Sequence, residues 1–328
     1  MASELLVSFL KSKGIQYELN VDLKKRTWIH RGGLAHVFIS PKCADDLENA
    51  VIYLYKNSIP FLLIGHTSNI YILNECNIPV VVSTAKCRNY KLVGDRLYCE
   101  AGVGVIQLSK QMINLGIKGF EYLTGLPGTV GAALVNNSSC RDNSISDLLI
   151  SAKVVLNDGS IRTIQPKDFK FEFRNSVFKK KVIEGTIISV ILKAECGDKS
   201  TMQEIAANND LDRKRKLEGH AMNLGCTVHR CFINGKMSVW LKVSLLVYGL
   251  FSRLFIKTEE ERRKRRRDYI CYITGYKSIA PYVSFKNPIV FCWIDEGADV
   301  AFPRYLDFMN KIYKTDKVEI EIIRQWQK

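Results

Sequence analysis

Two loops in this chain carry residue types that could do chemistry. "LLIGHTSNIYI" places Ile64, Gly65, His66, Thr67, Ser68 and Asn69 directly after an apolar, strand-like run. "GLPGTVGAALVNNSS", from Gly125 to Ser139, sets Gly125, Gly128 and Gly131 around a turn fixed by Pro127, with Thr129 and Ala132 between them. Glycine lets backbone N–H groups converge with no Cβ in the way, and neighbouring hydroxyls and amides add donors, which suits a diphosphate. Either loop alone reads as a tight turn, because Gly-rich patterns are common. With "RGGLA", which brings Gly32 and Gly33 to the start of the first strand, they ask for a dinucleotide lying between two domains. The usual fingerprints are absent. "GVGV" at Gly102 lacks the third glycine of G-x-G-x-x-G, and no Gly-Lys-Ser/Thr follows "GLPGTVG".

The elements that must hold these loops alternate. "AHVFIS" reads as a strand, "ADDLENAVIYLYKNS" as an amphipathic helix, and "PFLLIG" and "PVVVS" as buried strands. From Leu97 the pattern shifts: "LYCEAGVGV" is a strand entering a turn, and "IQLSKQMINLG" a helix closed by Gly116. "AKVVLNDGSIRTIQ" is a hairpin around Asp158-Gly159, and "TIISVILKAEC" a closing strand. Polar "GDKSTMQE" then opens a long polar helix, and the remainder ends in "PRYLDFMNKIYKTDKVEIEII", helix then strand. The pattern predicts an α+β protein in three parts: 1–85, 86–197 and 198–328.

Composition sets the outer bounds. The chain has 328 residues, of which 47% are hydrophobic, enough for two or three cores. A net charge of +15 favours anionic partners without choosing among them. Ten scattered cysteines with no C-x-x-C pair read as reduced thiols in a cytoplasmic protein, with neither a disulfide framework nor a metal site. "MASELLVSFLKSKG" lacks the long apolar run and cleavage site of a secretory signal.

"RGGLAHVFISP", "LLIGHTSNIYI", "GFEYLTGLPGTVGAALVNNSSCRDNSISDLL" and "FEFRNSVFK" follow one another in order. Over about residues 25–195 they resemble the flavin-binding half of the bacterial UDP-N-acetylenolpyruvoylglucosamine reductase family, within the wider vanillyl-alcohol-oxidase-type FAD fold. The resemblance implies a two-part FAD-binding fold, with subdomains 1–85 and 86–197, and a smaller α+β substrate domain at 198–328. It implies FAD against Gly32, Gly33, Ile64, Gly65, His66, Thr67, Ser68, Asn69, Gly125, Pro127, Gly128, Thr129, Gly131, Ala132 and Ile188. It also implies NADPH (or NADH) as hydride donor and a nucleotide-sugar substrate bearing an enolpyruvyl ether. Some relatives in the wider fold bind FAD covalently through a loop histidine. His66 stands in such a loop, although neutral loop histidines are ordinary.

The family's catalytic groups carry over one by one. The arginine of its Tyr-Arg-x-Ser segment falls on Arg174 of "FEFRNS", with Phe173 in place of the tyrosine and Ser176 retained. A guanidinium suits carboxylate charge that grows in the transition state. For the proton donor, Cys226 of "LGCTVHR" competes with Ser284 of "VSFKNP". The acid belongs in the last strand, "VEIEII", where Glu319 and Glu321 share a face and Glu321 is the better placed. Cys226 precedes that strand by roughly a domain's length and Ser284 by far less, so Cys226 is preferred. After Cys226 the family's Lys-Asn-Pro gives way to His229-Arg230. Such departures keep three rivals alive: a paralogue acting on another sugar in surface-polysaccharide synthesis, a non-catalytic flavin-binding docking protein, and a flavin oxidase.

A divergent insert at about 236–270 has its own pattern. "MSVWLKVSLLVYGLFSRLFI" gathers Ser238, Lys242, Gly249, Ser252 and Arg253 in one narrow stripe, leaving a wide apolar face. "TEEERRKRRRD" follows, with Thr258 and Glu261 as a capping box and Glu259–Arg263, Glu260–Lys264 and Glu261–Arg265 as i,i+4 pairs. Burial in a core or against a partner is the first reading of 237–267, and peripheral contact with an anionic membrane the second. No aromatic-interleaved basic patch supports nucleic acid.

Overall fold

The computed structural model describes residues 2–140, 143–219, 221–228, 237–315 and 317–325. The chain forms two compact units: 1–67, 72–211 and 323–328 make the first, and 68–71 with 212–322 the second. His229 and Arg230 lie outside the described residues.

In the first unit the chain runs α1 (Ala2–Ser12), β1 (Tyr17–Asp22), β2 (Leu34–Ile39), α2 (Ala44–Lys56), β3 (Leu62–Ile64), the short β4 (Ile70–Ile72), and β5 (Asn77–Ser83). Four of these strands form a sheet in the order β1-β2-β5-β3. β1 is antiparallel to β2, while β2 and β3 both run parallel to β5. Central β5 reads as a continuous apolar run because both of its faces are covered. In α2, Leu47, Ala50, Val51 and Leu54 recur at helical spacing and are buried against Val37, Ile39, Val80 and Val82. Burying Leu47 or Leu54 contributes about 1.5–3 kcal/mol each.

The second sheet is antiparallel and follows with β6 (Tyr90–Val93), β7 (Arg96–Glu100), α3 (Val105–Asn114), α4 (Val130–Val135), a ribbon of β8 (Ser139–Cys140) and β9 (Asn143–Ser144), then β10 (Leu149–Leu156), β11 (Ile161–Ile164) and β12 (Gly185–Lys193). Its order is β11-β10-β12-β7-β6. The predicted Asp158-Gly159 hairpin is present: Gly159 takes φ +79°, and the Asp158 carboxylate accepts the Ser160 N–H at 2.7 Å. A second tight turn at Gly94-Asp95 joins β6 to β7. Leu97, Met112, Phe120, Leu134, Val154 and Phe169 fill the core beneath this sheet.

α5 (Lys199–Lys216) starts where the polar linker predicted it. Asp198 accepts from the Thr201 N–H and from both the Ser200 and Thr201 hydroxyls, which pulls its pKa down to about 2.

The second unit contains β13 (Asn223–Cys226), α6 (Val239–Phe255), α7 (Glu259–Ile273), β14 (Val290–Cys292), α8 (Ala298–Tyr313) and β15 (Glu321–Ile323), whose last residue belongs to the first unit. β13 and β14 pair antiparallel, and an aromatic cluster of Tyr71, Phe291, Trp293, Phe302 and Tyr305 forms the core. All three ion pairs expected on α7 are made, at 2.5–2.9 Å. α6 corrects one expectation. Only Leu241, Leu245 and Ser252 are buried, and among the described residues nothing covers the wide apolar face, so it is no part of this chain's core.

The chain is α+β, and its cysteines at 43, 76, 87, 99, 196, 226, 271 and 292 are free thiols. Burial pushes Cys87, Cys99, Cys271 and Cys292 up to about 12, which leaves them unreactive. The first unit places one sheet before residue 86 and the other after it.

Candidate cofactor and catalytic site

Three loops meet in the first unit. The turn after β3 holds Gly65, His66 and Thr67; the turn after β7 holds Gly102 and Gly104; the turn into α4 holds Gly125 to Ala132. A Cβ on Gly65 would stand 2.7 Å from the Thr129 hydroxyl, and one on Gly104 would stand 3.1 Å from the His66 ring. Gly104 forms an isolated bridge with Thr129. The Val105 N–H donates to Gly128, Val130 to Val103, and Gly131 to Ala101. Both predicted loops are therefore brought together, and a third, "GVG" at 102–104, lies against both.

The glycines make room first for protein. A Cβ on Gly102 would fall 1.8 Å from the Thr84 carbonyl oxygen, and one on Gly33 equally close to that of Cys76. Gly32, at φ +152°, would strike Leu23, and its N–H donates to Asn74 Oδ1. Gly131 packs on Ala101. Ile64 and Ile188 are buried and give their carbonyls to Thr84 and to the Ala101 N–H. Pro127 and Ala132 are exposed on the third loop. The bare backbone is what lets the two strand ends and the start of α4 converge.

Two side chains are held firmly there. Thr67 adopts φ +55°, costly for a β-branched residue, and its hydroxyl accepts the Trp28 N–H at 2.7 Å. His66 is half-buried, and burial, helped by the nearby Arg88, lowers its pKa, while a bond to the Gly128 backbone opposes the shift. The imidazole is thus a neutral strut between the loops. Ser68 and Asn69 belong to the second unit, where Asn69 accepts the Glu321 N–H at 2.9 Å and donates to Glu319 O at 3.4 Å.

The donor set fits an anionic cofactor. The loop segments 64–69, 102–104 and 125–132 contain no carboxylate, and Arg88 adds positive charge beside His66. A buried acid nearby, Glu100, is already engaged: it accepts from the Ala44 N–H and from both the Asn89 N–H and its amide, each at 3.0 Å. It caps α2, whose own N-cap, Cys43, makes no side-chain bond. Nothing local in the sequence marks this role.

The catalytic candidates fall in both units. Arg174 is the second tip residue of a tight turn closed by two Glu172–Asn175 backbone bonds of 3.1 Å, and its φ is +55°. Phe169 and Phe178 anchor that turn in the core, and buried Ser176 donates to Val135 O at 2.6 Å, so the retained serine is structural. Phe173 points out, 67% exposed. Cys226, half-buried, ends β13 beside Gly225 at φ +75°. Its neighbour Thr227 accepts the Glu319 N–H, so the second unit brings the cysteine segment beside the last acidic strand. Ser284 is buried, and its hydroxyl accepts from the Lys286 and Asn287 N–H groups, which is a turn-capping role.

A family model described as an FAD binding domain matches residues 35–165. The UDP-N-acetylenolpyruvoylglucosamine reductase of Exiguobacterium sibiricum is 29% identical over 198 residues, covering 60% of this chain and 64% of that protein. That of Caldanaerobacter subterraneus is 27% identical over 230 residues, covering 70% and 76%. In sequence the chain is similar to the UDP-N-acetylenolpyruvoylglucosamine reductases, and it carries an FAD binding domain. The solved structure of UDP-N-acetylenolpyruvylglucosamine reductase (MurB) from Thermus caldophilus shares the fold, with a TM-score of 0.64 at 18% identity over 94% of this chain and 98% of that one. This chain spans about 64% of the length of the first curated relatives it matches. The likeness in fold extends over almost the whole chain.

Proposed function

We propose that this chain is an FAD-dependent reductase of a UDP-linked enolpyruvyl sugar, using NADPH. The observation that carries the reading is the meeting of Gly65, Gly104 and Thr129, at two strand ends and the start of α4, within the span matched by the FAD binding domain. FAD held by these loops would supply hydride transfer between the nicotinamide donor and the enol carbon. Residues 1–85 and 86–197 form the two FAD-binding subdomains, and 198–328 the substrate domain.

Arg174 binds the substrate carboxylate and stabilises the negative charge that grows there, a role its fixed fork of donors suits. Cys226 gives its thiol proton to the neighbouring carbon, a thiol being a stronger acid than a serine hydroxyl. Glu321, with Glu319 as the alternative, acts with Arg174 as the electrostatic and acid–base pair at the substrate; the Glu319 N–H donates to the carbonyl of Thr227, next to Cys226. The reaction belongs in the cytoplasm, with the chain held peripherally at a membrane through 237–267.

Purified protein should be yellow, bleach with NADPH under anaerobic conditions, and recover its colour when UDP-N-acetylglucosamine enolpyruvate is added. Colourless protein that binds no FAD overturns the reading. Recovery only with a different nucleotide sugar favours the paralogue, for which Phe173 and Cys226 speak. Fast recovery with oxygen alone favours an oxidase.

A further inference from the structure

We propose that α6 is a docking element for anionic bilayers, lying in the membrane interface rather than crossing it. The proposal does not depend on the flavin reading. Val239, Trp240, Val243, Leu246, Val247, Leu250, Phe251 and Leu254 are all exposed, and Leu254 reaches 77%. At about 100° per residue they fill one arc of roughly 140°, while the buried Leu241, Leu245 and Ser252 occupy the opposite side. Helix periodicity here points outward.

The occupant is fixed by charge. On the same wheel Lys242 and Arg253 both fall at one edge of the arc, within about 40° of Leu246, where long cationic chains can reach headgroups. The other edge is held by Tyr248, stacked on Tyr269 of α7 at 4.3 Å and within the field of Arg265. α6 itself contains no carboxylate. The glutamates opening α7 are already paired to Arg263, Lys264 and Arg265. A second copy packed on this face would add further cations at its rim, because α6 brings no carboxylate of its own. A bilayer carrying phosphate groups offers both hydrocarbon for the arc and anions for its rim.

Length excludes a span. Seventeen residues cover about 25 Å, short of the roughly 30 Å hydrocarbon core, and no described helix is long and apolar enough to cross. Trp240, at the N-terminal end of the arc, is placed as an interfacial aromatic would be.

The test is sedimentation of the full-length protein with vesicles of phosphatidylcholine alone or of phosphatidylcholine with phosphatidylglycerol. Binding to the anionic vesicles that weakens with salt is expected, accompanied by a blue shift of fluorescence lost in Trp240→Phe. Lys242→Gln with Arg253→Gln should lower binding roughly thirtyfold, and Leu250→Ser with Leu254→Ser should abolish it. Melting temperature and flavin content of these variants should match the parent, because every altered side chain is on the surface. Failure to sediment with anionic vesicles, equal sedimentation with both compositions, or a dimer broken by the leucine substitutions without vesicle binding would each overturn the proposal. Loss of flavin binding with intact sedimentation would overturn only the enzymatic reading.

Discussion

Gly65 and Thr129 touch across two loops: a methyl on the glycine would stand 2.7 Å from the threonine hydroxyl and 3.1 Å from its methyl group. The same hydroxyl caps α4 by accepting the Ala132 N–H. The turn after β3 is therefore positioned by the residue that starts α4, and neither loop can move alone.

Gly65→Ala should cost about 1–3 kcal/mol by overpacking and weaken FAD binding at least tenfold. Thr129→Ala should cost about 1 kcal/mol through the lost cap. Because the second substitution removes the atoms that the first one strikes, the pair should cost clearly less than the two summed. Urea unfolding of the four proteins measures this, and strict additivity would show that the loops do not touch.

His66 gives a pH signature with a definite sign. Unfolded, it titrates near its ordinary 6.5; folded, burial and Arg88 hold it lower. At higher pH both states carry a neutral ring and stability is independent of this group. As pH falls below 6.5 the unfolded chain takes up a proton that the fold resists, so stability declines until the folded value is passed. The urea midpoint should drop between about pH 7.5 and about pH 5.5, and His66→Gln should lessen that drop. A variant with the parent's pH profile would place the titration elsewhere.

What the sequence made legible is what is local. The Thr258 hydroxyl caps the Glu261 N–H, and the three ion pairs of α7 lie within one helical turn, so spacing alone finds them. The glycines were legible as bare backbone, but not their neighbours. Gly33 faces Cys76 and Gly102 faces Thr84 because sheet pairing brings distant segments together. Glu100 was invisible for the same reason, since its partner Ala44 is 56 residues away. The α6 period was readable too, yet which side would be covered depends on α7 presenting Tyr269 to Tyr248.

Glu100→Gln tests that distant cap. The glutamine amide would turn an N–H₂ group toward the donors that Ala44 and Asn89 already present, leaving one of them unsatisfied in a buried place. A loss of about 1–3 kcal/mol is expected, read as a fall in melting temperature of about 2–4 °C per kcal/mol. An unchanged melting point would mean that the carboxylate is dispensable to α2.

Cys226 can be separated from a merely buried thiol by comparing two substitutions. Cys226→Ser keeps a proton donor at the end of β13 and should preserve turnover of the enolpyruvyl sugar. Cys226→Ala removes it and should lower kcat about 10²–10⁴-fold with flavin reduction by NADPH unchanged. Equal activity of the two variants would remove Cys226 from the chemistry.

Arg174 offers a split between stability and activity. It holds φ +55° at the tip of its turn, a conformation that glycine adopts without the cost of about 1–2 kcal/mol borne by other residues. Arg174→Gly should therefore melt no lower than the parent, and by this argument slightly higher. The same change removes the guanidinium proposed to bind the substrate carboxylate, so kcat should fall about 10²–10³-fold while FAD stays bound. Arg174→Lys keeps the charge but not the planar fork, and should recover only part of the loss. Arg174→Gly that is stabilised yet fully active would remove Arg174 from the chemistry.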